Sequence, residues 1–235
     1  MQIVAHGKNL QFNREMVQLL PPGLATVWSR FQPTGRFDAD VKLDFDGTQW
    51  KPDLAVRCID VAFQYERFPY PFTGSTGAIT LQEDVLTFGL RTMAGEQGVR
   101  LEGHIDQPMN NPVGWCEFAC DGPIPIDQQL LAALDTDKLQ GAHQTLLALH
   151  ATGKLTATGR FERLASDQND INEHIQLRVT DGSIAYEKFP YPIHRITGEL
   201  ELWNGQWTFR DLRGVNDSGR ITCSGSLADA GEGPL

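Results

Sequence analysis

The stretch YERFPYPFTGSTGAITL, residues 65–81, returns as YEKFPYPIHRITGELEL, residues 186–202. Each proline of FPYP fixes its own φ and lacks an N–H donor. Each also drives the residue before it, Phe68 and Tyr70 or Phe189 and Tyr191, into extended backbone. In an extended chain both missing donors fall on one lateral side. FPYP is therefore expected to lie along a strand edge that cannot pair, where sheets tolerate proline. The likeness reaches further. At an offset of 121, Tyr65 answers Tyr186, Gly77 answers Gly198, Leu81 answers Leu202 and Phe88 answers Phe209. With one residue inserted, Leu101 and Gly103 answer Cys223 and Gly225. Upstream, TGRFDADVKLDF (34–45) pairs with TGKLTATGRFER (152–163), and residues 6–20 resemble residues 120–134. Such self-similarity marks a repeat architecture. It divides the chain into a first unit over 1–113 and a second over 114–235.

The alternation inside each repeat gives the fold class. Phe37, Ala39, Val41, Leu43 and Phe45 alternate with Asp38, Asp40, Lys42, Asp44 and Asp46, a period of two with one apolar and one solvated face. Leu155, Ala157, Gly159 and Phe161 keep the pattern in the second repeat. Further strands are expected at 53–66, 77–83, 85–92 and 98–105, and at 173–188, 198–204, 206–213 and 219–226. Asn204-Gly205 is a hairpin signal, and the shared glycines read as turn residues. Residues 13–31 and 127–153 show helical spacing instead. The first breaks at Pro21-Pro22; the second is expected to carry a cap at Asp135 or Asp137 and to stop at Gly153. The expected fold is mostly β: two tandem antiparallel meanders with short helices, forming one continuous, twisted, groove-like sheet. Its first and last strands, near Gln2–Ala5 and Arg220–Leu227, are expected to lack partners.

The chain has 235 residues, 40% of them hydrophobic, and a formal net charge of −10. That charge argues against a nucleic-acid partner, whose phosphates need clustered Lys and Arg. It opposes adhesion to anionic lipid headgroups but not contact with acyl tails. No apolar run approaches the ~20 residues of a membrane-spanning helix. The end, SLADAGEGPL, stops where the next unit would begin, so the sequence reads as a piece of a longer protein. Cys58, Cys116, Cys120 and Cys223 lack the paired spacing of a zinc site and are expected to be buried thiols.

Chemistry-bearing patterns are sparse. There is no Walker loop, no dinucleotide fingerprint and no nucleophile elbow. Asp38, Asp40, Asp44 and Asp46 share a straight strand, which spreads them too far apart for a calcium loop. His143 and His150 lie one heptad apart on a helical stretch, but the six histidines are otherwise scattered. The repeats share apolar alternation, glycines and FPYP, not polar side chains that could act on a substrate. FPYP offers neither the P-x-x-P nor the P-P-x-Y spacing of a polyproline ligand. No catalytic, metal-binding or cofactor-binding residue, and no cofactor, is expected.

Tyr186, Thr197-Gly198, Leu200, Leu202, Trp207, Phe209, Ile221 and Gly225 carry a pattern of short strands. So do Tyr65, Thr76-Gly77, Ile79, Leu81, Leu86, Phe88, Leu101 and Gly103. This pattern resembles the C-terminal region of AsmA-like proteins, a group that includes the TamB-like and YhdP-like envelope proteins. The resemblance implies a non-enzymatic module with an apolar groove, serving phospholipid movement between membranes or outer-membrane assembly. It implies a place in the cell envelope or periplasm, held there by a membrane anchor of the parent protein. Its partners would be phospholipid acyl chains and adjoining repeat units. The candidate lining is Val41, Leu43, Phe45, Ile79, Leu81, Phe88, Leu101, Leu155, Phe161, Leu200, Leu202, Trp207, Phe209 and Ile221. Two other readings stay open. One is a structural or adhesive extracytoplasmic β-repeat with a closed core. The other is an enzyme on an envelope polymer, which needs a cleft with paired carboxylates or an activated nucleophile.

Overall fold

The structure is a computed structural model of the chain. It describes residues 1–19, 22–45, 47–48, 50–165, 171–186, 188–217 and 219–228. Asp46 and Pro21, named above, lie outside these, as does the end from 229 on. In the first repeat, β1 (Gln2–Phe12) leads into α1 (Arg14–Leu19) and α2 (Pro22–Phe31). The strands β2 (Thr34–Phe45), β3 (Trp50–Tyr65), β4 (Phe68–Gln82), β5 (Val85–Ala94) and β6 (Gln97–Asp106) follow. In the second repeat, β7 (Val113–Cys120) and the short β8 (Ile124–Pro125) precede α3 (Gln128–Leu134) and α4 (Gln140–Ala148). Then come β9 (Thr152–Arg163), β10 (Asn172–Tyr186), β11 (Phe189–Trp203), β12 (Gln206–Asn216) and β13 (Gly219–Ala228).

The class expected from the alternation stands: mostly β, antiparallel meanders with short helices in one open sheet. The strand order is β1-β2-β3-β4-β5-β6-β7-β9-β10-β11-β12-β13, with β8 on β9. The path ends at β1 and β13, the two strands expected to lack partners. Contacts divide the chain into two compact units. The first holds Met1–Glu66, Pro71–Phe118 and Glu162–Ile171; the second holds Arg67–Tyr70, Ala119–Phe161 and Asn172–Leu235.

Four local expectations need correction. FPYP is extended, but it opens β4 and β11, which are interior strands. In β11 the prolines are accommodated by broken register instead: Tyr186 faces Phe189 and Ile184 faces Ile193, so three residues of β11 bulge opposite one of β10. A bulge frees backbone groups from the ladder, so a missing donor costs nothing there. The cap of α3 is Asp127, whose carboxylate accepts the Leu130 N–H at 3.0 Å, while Asp135 closes the same helix. The second helical stretch ends at Leu149 and the left-handed His150 (φ 44°), not at Gly153.

The glycines of the Thr-Gly pairs are not turn residues. Gly35, Gly77, Gly153 and Gly198 lie inside β2, β4, β9 and β11 with φ of 102°, 126°, 118° and 151°. Gly114 of β7 joins them at 143°. A side chain on any of them would run into the neighbouring strand: on Gly35 into the Asp60 carbonyl, on Gly77 into the Gly89 carbonyl, on Gly114 into the His104 carbonyl. A Cβ on Gly198 would stand 2.7 Å from the Leu212 α-carbon and 2.8 Å from the Asp211 carbonyl oxygen. Only glycine adopts this backbone and permits this approach. Register shifts sit beside these contacts, at Arg36/Phe37, Thr73/Thr76, Val179/Gly182 and Phe209/Leu212.

The helices cover part of the deep core, while Ser75, Leu81, Thr92, Ala94 and Val99 are buried within β4 to β6. In unit 1, α2 lies over the α2-side ends of β1 to β3. Trp28 meets Phe12 edge-on at 5.1 Å, Phe12 stacks on Phe37 at 4.0 Å, and Phe31 stacks on Tyr65 at 5.0 Å. Phe37 and Val61 are 4% exposed there. In unit 2, Ala133 of α3 is 1% exposed, and the Ala185 N–H donates to the Leu149 carbonyl at the end of α4. Arg67–Tyr70 belongs to this second unit. Thr136 Oγ1 donates to the Arg67 carbonyl at 3.1 Å, and Tyr70 is 3% exposed.

Candidate functional site: an apolar sheet face

Residues paired across strands point to the same face. In unit 1, Val41 faces Ala5 on β1 and Leu54 on β3; Leu43 faces Ile3 and Pro52. On the same unit's later strands, Leu81, Leu86 and Ile105 form one row. Ile79, Phe88 and Gly103 form a second, and Gly77, Leu90 and Leu101 a third. The Phe88 ring lies over Gly103, where any side chain would displace it. In unit 2, Ile175, Leu202, Trp207 and Leu227 form a four-strand row, and Leu177, Leu200, Phe209 and Gly225 the next. Leu212 faces Cys223, and Gly214 faces Ile221. Leu155 of β9 faces Ile124 of β8. Phe161 lies six residues further along β9, on the same parity as Leu155.

These rows are half-covered. Leu81 is buried at 5% exposure and Phe45 is exposed at 37%. The other twelve candidate lining residues all fall between those limits. The cause is the single layer. A second sheet normally closes such a face; among the described residues every strand belongs to one sheet. Among the described residues, helix rings meet strand rings at Phe12, Phe63 and Tyr65.

The opposite face is ionic. Asp38 accepts the Asn9 N–H and an Arg57 Nη2–H, each at 2.8 Å. Lys42 bridges Asp44 at 2.6 Å and Asp53 at 3.7 Å. His6 and Asp40 meet at 2.6 Å. Glu201 takes His174 at 2.8 Å and also Arg210, and the His174 ring rests against Trp203 at 4.6 Å. Asp38, Asp40 and Asp44 are thus answered by Arg57, His6 and Lys42 and by the Asn9 backbone. No group of three or more His, Cys, Asp or Glu converges among the described residues. His143 pairs with Asp135 at 3.4 Å rather than with His150. A recess on β10–β12 is lined by Arg178, Glu199, Asp211 and Arg213, but the charges satisfy one another in pairs, at 2.8 Å and 3.5 Å.

The ionic face has a pH signature. The Asn9 N–H, and next the Arg57 guanidinium, hold Asp38 below the ordinary carboxylate range. The His174 hydrogen bond does the same for Glu201, and Lys42 for Asp44. A carboxylate whose folded pKa is depressed stabilises the fold above its unfolded pKa of about 4. That contribution is lost as pH falls through the folded value. Glu201→Gln should therefore lower the thermal midpoint at neutral pH, and its gap from wild type should close as pH drops below about 4. A gap constant from neutral to acid would show that Glu201 acts by shape alone.

Two of the thiols are buried away from activation. Burial pushes Cys58 and Cys120 above their usual range, opposite to what thiolate chemistry requires. Cys223, expected to be buried, is exposed, because it stands on the terminal strand β13.

The apolar rows were legible as alternation. The mid-strand glycines were visible as the dipeptides Thr34-Gly35, Thr76-Gly77, Thr152-Gly153 and Thr197-Gly198, but a hairpin meaning was the wrong one. No helix among the described residues is long and apolar enough to cross a membrane. Set against known proteins, the chain matches no family model, no curated protein and no solved structure.

Proposed function

We propose that the chain is a non-enzymatic module whose apolar sheet face carries phospholipid acyl chains, as part of an AsmA-like envelope protein. The observation that carries this reading is the set of apolar rows running strand to strand while only half-covered. In unit 2 a row crosses four strands, β10 to β13, roughly 14 Å at ordinary strand spacing. Apolar area left in water is unfavourable by about 25 cal/mol per Å², so a face of this kind favours an apolar guest. Lipid movement along such rows needs no catalytic group and no cofactor. The sequence pattern of Leu200, Leu202, Trp207, Phe209 and their counterparts supports the family link. On this reading the parent sits in the cell envelope behind a membrane anchor, and adjoining repeats extend the rows. The closed-core adhesive reading needs an enclosed interior, which the single layer does not favour.

The test is organic extraction and mass spectrometry of the purified protein, with transfer of a fluorescent phosphatidylethanolamine between vesicles as the functional arm. Co-purifying phospholipid is expected, and Leu200→Asp with Leu177→Ser should reduce it at least tenfold while the fold persists. Lipid-free protein that transfers nothing between vesicles would overturn the reading.

A further inference from the structure

The hairpin joining β11 to β12 ends in an exposed tryptophan. Along β11 the ionic face reads Glu199, Glu201 and then Trp203, while Leu200 and Leu202 point to the apolar face. Trp203 pairs with His174 on β10 and Gln206 on β12, and is 57% exposed. On the other face Leu202 pairs with Ile175 and Trp207. The ionic face thus turns apolar at its last position, and the hairpin end is apolar on both sides. The fold does not require this. The equivalent hairpin of the first repeat reads Leu81-Gln82-Glu83-Asp84, with Gln82 where the second has Trp203.

The exposed ring is held in place. It rests on His174 at 4.6 Å, and His174 is fixed by Glu201 at 2.8 Å. The turn beside it is pinned as well. The Asn204 N–H donates to the Glu173 carbonyl at 3.0 Å, the Glu173 N–H to Asn204 Oδ1 at 2.8 Å, and Asn204 Nδ2 to Asn172 Oδ1 at 3.0 Å. A ring fixed in this way loses little further freedom on meeting a partner. The helical segment of this unit meets β10 at its other end, where the Leu149 carbonyl takes the Ala185 N–H.

The surroundings select a neutral partner. The cation nearest the turn on this hairpin, Arg210, is held by Glu201 at 2.5 Å, and Glu173 and Glu199 lie on the same strands. That arrangement does not draw anionic headgroups, which need a basic cluster. An indole has an apolar body and one N–H donor, and it suits the boundary between acyl chains and headgroups. The apolar row of Ile175, Leu202 and Trp207 runs to the same turn.

We infer that this hairpin end, carried by Leu202, Trp203 and Trp207, docks the module on a neutral bilayer surface and is where acyl chains enter the apolar rows. The choice of a bilayer as partner rests on the lipid-carrying reading. The docking itself is tested apart from it.

The test is flotation of the whole chain with phosphatidylcholine vesicles, with and without added phosphatidylglycerol, at low and at high salt. Wild type should float with the neutral vesicles at either salt. Trp203→Gln should float at least about tenfold less, the apolar contact of one large ring being gone, while keeping the wild-type thermal midpoint. Gln82→Ala at the equivalent hairpin should change nothing. Absence of flotation by wild type would overturn the inference, as would equal flotation by Trp203→Gln. So would flotation only with phosphatidylglycerol that salt abolishes, or a Trp203→Gln defect confined to binding an immobilised polysaccharide. If Trp203→Gln melts early, quenching of wild-type tryptophan emission by tail-brominated phosphatidylcholine decides: partial quenching supports docking, and none overturns it. Organic extraction separates the two proposals. Phospholipid in purified protein that never floats would leave the lipid-carrying reading standing and remove the docking. Flotation that needs Trp203, by protein that carries and transfers no lipid, would do the reverse.

Discussion

Gly77→Val should destabilise the first unit by about 3–5 kcal/mol, combining a forbidden backbone with a clash. Gly77 holds φ at 126°, where a β-branched residue is not tolerated, and a Cβ added there would run into the Gly89 carbonyl oxygen and stand 3.0 Å from the Leu90 α-carbon of β5. These are backbone atoms of a paired strand, so nothing flexible can move aside. Relief requires the β4–β5 ladder to part, exposing Leu81 and its row. Gly198→Val should do the same in the second unit against Leu212. The control is Gly225→Ala, where nothing lies within 4 Å of an added Cβ and the change should stay within about 0.5 kcal/mol. Chemical denaturation of the three variants checks the order. A Gly77→Val midpoint equal to that of Gly225→Ala would show that the strand glycines are replaceable.

Tyr70→Ala and Tyr191→Ala should differ sharply although both remove the ring of FPYP. Tyr70 is 3% exposed and stacks with Phe68 at 5.9 Å, and burial raises its hydroxyl pKa. Deleting a large buried ring costs about 3–5 kcal/mol. Tyr191 is 47% exposed, so its loss in dilute solution should cost less than about 1 kcal/mol. Thermal melts at low protein concentration make the comparison. Equal losses would mean that the two FPYP segments have equivalent surroundings, against the burial seen here.

How much of this was readable beforehand depends on what each residue reports. Period-two alternation reports a face directly, so Val41, Leu43, Leu200 and Leu202 could be placed on one side of a strand from sequence. A glycine reports only freedom. Gly77 and Gly198 satisfy the demands of a turn and of a mid-strand approach equally well, and the choice is made by the carbonyl of another strand. Proline behaves likewise: the missing donors of FPYP are harmless on an edge or in a bulge, and register, set by Tyr186 and Ile184, chose the bulge. Capping failed for a related reason. Asp127, Asp135 and Asp137 are chemically interchangeable, and only the true start of α3 makes Asp127 the acceptor for Leu130. The half-covered state of the apolar rows was not legible at all, since one layer and two layers use the same alternation.

The strand order has a kinetic consequence. In the first repeat and again from β9 to β13, each strand pairs with the one just before it in the chain, across connections as short as Glu83-Asp84, Gly95-Glu96 and Asn204-Gly205. Closing such loops costs little entropy, and their contacts are local although the protein is nearly all β. Sandwiches and barrels of the same strand content must bring distant segments together before any pairing is rewarded. Here any hairpin can serve as a nucleus, and the ladder lengthens from it in both directions one strand at a time.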